Sequence, residues 1–116
     1  MCERGEVPLG DAGHGRPIVS GFYTTPVRGS FAPNLRRGEV VITYGHDLPA
    51  QAAGALQRWW SSDPDRVLVI PNARSHAITL VGRATEPGAG TAIEYATCSD
   101  FDPAEFTRFV REHRQF

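Results

Sequence analysis

The chain has 116 residues, a formal net charge of −1 and 41% hydrophobic side chains, which suits one small domain with a single core. The near-neutral charge argues against a dedicated nucleic-acid binder, and no apolar run approaches the length of a membrane span. All basic residues other than histidine are arginine, which GC-rich coding bias explains better than a phosphate-binding role. Cys2 and Cys98 lie at opposite ends without metal-ligand spacing, so a reduced thiol at Cys98 is expected over a disulfide. Without the apolar core of a signal peptide, the expected location is cytoplasmic.

Residues 1–16 are rich in glycine and charge and show no periodicity. They read as a flexible N-terminal arm or an expression remnant before a single domain over 17–116. His14, between two glycines, reads as a solvated loop residue. Pro17 to Pro33 alternates turn formers with Phe22, Tyr23 and Phe31. Rings in irregular backbone either close the core over a sheet or line a pocket wall.

The chain is organised around Asn34 to Tyr44. Val40-Val41-Ile42-Thr43-Tyr44 is a run of β-branched and aromatic residues and predicts a central strand. Arg36 and Arg37 stand before it, where charge is seldom placed for packing alone. After Gly45-His46-Asp47, with Asp47 as the expected cap, a helix is predicted over Ala50–Ser61. Trp59 and Trp60 are adjacent in it, so one should be buried while the other covers an edge or a partner. Val67–Pro71 is an apolar run that predicts a strand buried on both faces and parallel to the first. His76–Arg83 follows as a third strand, antiparallel to the second, then a Glu86–Gly90 hairpin loop and a fourth strand over Thr91–Thr97. Asp102-Pro103-Ala104-Glu105 is a capping signature that opens a last helix to about Arg114, with Phe106, Phe109 and Val110 as its apolar stripe. The predicted fold is α+β: a four-stranded mixed sheet with two helices packed on it.

These elements resemble a bacterial domain family of unknown function whose signature is Pro-Pro-Thr-Ser-Gly-x-His, then His-x-Leu-Glu-His-Gly-x-Val-Val-x-x-Tyr. The corresponding residues here are Pro17-Ile18-Val19-Ser20-Gly21-Phe22-Tyr23 and Ala32 to Tyr44, with later matches at Pro71-Asn72, Gly82-Arg83, Cys98 and Phe109. In that family the histidines and the glutamate look like a metal site. Here Leu-Glu-His-Gly has become Leu35-Arg36-Arg37-Gly38, and arginine cannot ligate a cation. The resemblance therefore implies a scaffold whose metal function is lost, and no cofactor is expected.

What stands at the former site is Arg36, Arg37 and Tyr44 with His46 nearby as catalytic candidates, and Phe22, Tyr23, Phe31 and Asn34 as substrate-binding candidates. Guanidinium groups suit carboxylate, phosphate or enolate oxygens, while a tyrosine or a loop histidine could move a proton. The first reading is a cofactor-free cyclase, isomerase or dehydratase of a biosynthetic pathway, acting on a small, flat or anionic organic molecule. The second is a non-catalytic module that binds a ligand or protein through the Trp59-Trp60 edge. A homodimer is left open; nucleic acid and membrane are not expected partners. The plainer alternative for the arginines is surface pairing with Glu39, Asp47 or Glu94.

Overall fold

In the computed structural model of the protein, the described residues are 2–9, 15–74, 77–84 and 92–115. The elements are β1 (Cys2–Pro8), α1 (Ala32–Arg36), β2 (Val40–Tyr44), α2 (Ala50–Ser62), β3 (Val67–Pro71), β4 (Ile78–Arg83), β5 (Ala92–Cys98) and α3 (Pro103–His113). They form one mixed sheet in the order β1-β5-β4-β2-β3. The class is α+β as expected, but the sheet has five strands where four were predicted. The added strand, β1, lies in the stretch read as a flexible arm. The expected Glu86–Gly90 hairpin loop, His14 and the start of the third strand at His76 lie outside the described residues.

β2 is internal, as its β-branched run implied, and pairs in parallel with β3 from Val40↔Val67 to Tyr44↔Pro71. β4 runs antiparallel to β3 as expected, but it pairs with β2 and is not β3's neighbour in the sheet. β3 meets a different neighbour on its other side: Tyr23 N–H donates to the Val69 carbonyl at 2.8 Å and Val69 N–H to the Gly21 carbonyl at 2.9 Å. This short pairing covers an edge that would otherwise be open.

Alternation along the strands divides the core in two. On one face Val40, Ile42, Val67, Val69, Ile78, Leu80 and Ala96 meet Leu56 of α2 and Phe106, Phe109 and Val110 of α3. On the other, Val41, Leu68, Ile70 and Val81 meet Leu35 of α1 and loop residues Ile18, Tyr23, Val27 and Phe31. The aromatic loop thus closes the second face of the sheet. The capping signature of α3 forms as predicted, the Asp102 carboxylate accepting from the amides of Ala104 at 3.1 Å and Glu105 at 3.3 Å. The N-cap position of α2 is taken by Pro49 and not by Asp47.

Cys98, expected as a reduced thiol, is bonded to Cys2 in a disulfide. The two are direct cross-strand partners, a proximity that only long-range pairing of β1 with β5 creates. His113 is buried at the end of α3, its Nδ1 2.9 Å from the Phe109 carbonyl and its Nε2 3.2 Å from the Glu94 carboxylate. Gly82 makes room for it, since a Cβ there would lie 2.6 Å from His113 Cβ.

Candidate ligand-binding site

The candidate residues of the Asn34–His46 stretch do not converge. Arg36 and Arg37 precede β2, whereas Tyr44 and His46 follow its last residues, and five extended residues put the two ends about 13 Å apart. Arg36 closes α1 and is half-buried, while Arg37 caps it and is exposed. The sequence placed both arginines at the entry of a strand; a short helix carries Arg36 and ends at Arg37 instead. His46 is exposed in the turn after β2.

The aromatic candidates belong to the core. Tyr23 and Phe31 pack on the second face of the sheet, and Phe22 stacks on Tyr44 and lies 5.9 Å from the Trp60 ring. The Tyr44 hydroxyl donates to the Tyr23 carbonyl at 2.7 Å, pinning the loop, and burial pushes its pKa above the ordinary tyrosine value. Both tryptophans are half-buried rather than divided into one inside and one outside. Trp59 N–H donates to Thr107 Oγ1 and Trp60 N–H to the Val67 carbonyl.

Arg37 does line a cleft, at the start of β2 and β3, and Asn34 is buried behind it. Asn34 is fully buried: its Oδ1 accepts from Ile18 N–H at 3.0 Å, and its Nδ2 donates to the Ile18 carbonyl at 2.8 Å and to Glu39 Oε1 at 3.2 Å. It thereby fastens the Pro17–Ser20 segment to a buried carboxylate. Glu39 is only 4% exposed, and Arg37 Nη1 lies 3.9 Å from its other oxygen. Gly38 shapes this corner at φ +86°, where a side chain would strike Gln115.

A cleft of about 400 Å³ lies over these groups, lined by Pro17 to Ser20, Arg37, Glu39, Asp65 and Arg66. That volume lies within the range of small-molecule sites. Arg66 adopts φ +58°, a left-handed conformation unusual for a side chain of its size, and its Nη1 donates to the Arg37 carbonyl at 2.9 Å. Two guanidinium groups and two carboxylates therefore share one rim, so charges of both signs are offered. Glu39 was read only as a surface ion partner, and Asp65 and Arg66 were not among the candidates. The parallel pairing was expected, but the register that sets 65–66 beside 37–39 leaves no local mark in the sequence.

A smaller cavity of about 190 Å³ lies between α2 and α3, lined by Trp59, Thr107, Val110 and Arg111 among others. At its rim the Arg114 guanidinium, 2.7 Å away, holds the Asp63 carboxyl below its ordinary pKa. Among the described residues no three histidine, cysteine, aspartate or glutamate side chains gather as a metal ion would need. No family model, curated protein or solved structure matches the chain. The likeness to the bacterial family of unknown function thus rests on the residues quoted for it.

Proposed function

We propose that the protein binds a small organic molecule carrying an anionic group beside a hydroxyl or ammonium group, in the cleft at the start of β2 and β3. Arg37 takes the anionic group, since its guanidinium is exposed on the rim and offers a fork of donors. Glu39 accepts a proton, giving a cofactor-free reaction of cyclase, isomerase or dehydratase type. The observation that carries this reading is the buried Glu39 carboxylate, oriented by Asn34 and opening on a cleft with Arg37. A carboxylate that merely decorated a surface would not need a buried amide to hold it. Arg36, Tyr44 and His46 drop from the catalytic set, because none of them lines the cleft.

The alternative module built on the Trp59-Trp60 edge has less support. Both indole N–H groups are bonded within the chain, and Trp60 is packed against Phe22. For the compartment, the expectation of cytoplasm rested on the lack of a signal-peptide core and agreed with a reduced Cys98. With Cys2 joined to Cys98, an oxidising compartment is the better fit.

The test is titration of isotope-labelled protein with hydroxy, amino and phosphorylated carboxylic acids, following amide shifts. Binding should move Ile18, Arg37 and Arg66, and Arg37→Ala should weaken it about tenfold or more. Arg36→Ala should leave it nearly unchanged, and Glu39→Gln should keep binding while abolishing turnover. Shifts clustered at Trp59 and Thr107, or full affinity in Arg37→Ala, would overturn the assignment.

A further inference from the structure

The outer edge of the sheet carries a second recognition feature, and its orientation follows from the hydrogen-bond register. Ala84 N–H donates to the Ala92 carbonyl at 2.9 Å, so Ala92, and with it Glu94, Ala96 and Cys98, direct their backbone groups toward β4. Ile93, Tyr95 and Thr97 must then direct theirs toward β1, where they face Val7, Gly5 and Glu3. The remaining residues of β1, Cys2, Arg4, Glu6 and Pro8, point their backbone groups away from the sheet. Pro8, which has no N–H to offer, fits such an outward position. Among the described residues no backbone hydrogen bond reaches this edge.

Side chains on the same residues lie on the helix-bearing face. Arg4 reaches Glu105 at 3.3 Å and Glu112 at 3.4 Å, while its side chain stays 38% exposed. Glu6 stands directly opposite Glu94, a like-charge pair, and Glu94 is already engaged by His113. Among the described residues no cation pairs with Glu6, so the edge presents an uncompensated acid two residues from an exposed base.

We propose that β1 pairs antiparallel with β1 of a second copy of this chain, continuing the sheet across a two-fold axis at Gly5. An antiparallel pair forms its hydrogen bonds only when outward-pointing residues face outward-pointing residues. Three registers satisfy that with at least three outward residues of each strand paired. One sets Arg4 against Arg4 and another Glu6 against Glu6, each a repulsion on the axis. The third sets Arg4 against Glu6 twice and Cys2 against Pro8, supplying Glu6 with its missing cation. It also brings Gly5 to the axis on the opposite face, where each glycine lies beneath its own Tyr95 ring. The charges that blunt this edge toward other strands are complementary toward its own copy. Seven residues of strand edge make a small interface, so the dimer is reversible and concentration-dependent.

Sedimentation velocity of the full chain over a dilution series at low salt tests this. The wild-type protein should show a monomer–dimer equilibrium, and Glu6→Arg or Arg4→Glu alone should weaken it about tenfold or more. The double exchange, Arg4→Glu with Glu6→Arg, restores the opposed charges and should restore the dimer. Glu6→Pro removes one outward N–H and none of the bonds to β5, so it should give a folded monomer. Arg4→Glu also disturbs the contacts with α3, which is why Glu6→Arg and Glu6→Pro carry the test without a folding defect. A wild-type chain monomeric at its highest soluble concentration, an unaltered dimer in Glu6→Pro, or failure of a double exchange that circular dichroism shows to be folded to recover association would each overturn the proposal.

Discussion

Replacing Asn34 by aspartate changes one atom buried behind the cleft, against Glu39, and tests its whole electrostatic logic. The side chain is fully buried and makes three hydrogen bonds, two of them as donor, to the Ile18 carbonyl and to Glu39. An aspartate of the same shape keeps only the bond it accepts from Ile18 N–H. Two lost donations cost about 1 kcal/mol each. The new carboxylate would also lie where Nδ2 now stands, 3.2 Å from Glu39 Oε1. Two unit charges so close repel by about 5 kcal/mol at an effective dielectric near 20, and uptake of a proton by one carboxyl relieves part of this. The net loss at pH 7 should be about 4 kcal/mol, a large fraction of a small domain's stability. Urea unfolding followed by far-ultraviolet circular dichroism measures it. The proton taken up raises one carboxyl's folded-state pKa above its unfolded value. The variant's deficit should therefore grow as pH rises through that window and shrink toward pH 4. Wild-type stability at pH 7, or a deficit independent of pH, would refute the account of Asn34 and Glu39.

Two further outcomes are expected. Cys2 and Cys98 are separated by 96 residues, and closing so long a loop stabilises by at most roughly 4–5 kcal/mol on chain-entropy grounds; reduction should lower the unfolding free energy by about 2–4 kcal/mol, and two titratable thiols in unreduced, unfolded protein would refute the bridge. Because burial raises the Tyr44 pKa, its neutral form stabilises the fold below pH ~10 and that contribution is lost as pH rises toward the folded value; Tyr44→Phe should cost about 1 kcal/mol at pH 7 and abolish this part of the alkaline loss, and an equal alkaline decline in both proteins would sink the assignment.

The elements that could be read in the sequence are those whose side chains carry their own signal. Val40–Tyr44 and Val67–Pro71 are apolar because both faces are covered, and Asp102-Pro103-Ala104-Glu105 caps a helix through bonds spanning only three residues. β1 has no such mark. Its residues are mostly exposed, so nothing in Cys2–Pro8 needs the apolar alternation that betrays a half-buried strand. Backbone bonds to β5 and the disulfide hold it, and both depend on a partner about ninety residues away. The neighbour of β4 was hidden for a related reason. A short connection favours a β3–β4 hairpin, but Gly21–Tyr23 occupies the other edge of β3, and β4 pairs with β2.

The candidate site shows how parallel pairing sorts residues that the sequence lists together. Asn34 to His46 reads as one constellation, yet β2 runs through its middle and carries half of it to the far end. Strand β3 starts level with β2, Val40 opposite Val67, so the residues before each strand meet: Arg37 and Glu39 beside Asp65 and Arg66. In open α/β sheets ligands usually settle at the carboxyl ends of the strands. Here the carboxyl end of β2 is committed to structure. The Tyr44 hydroxyl holds the aromatic loop, and its carbonyl accepts from Asn72 N–H at 2.8 Å. The amino end keeps an exposed guanidinium over a buried carboxylate, and a ligand that needs both charge and proton transfer would find them there.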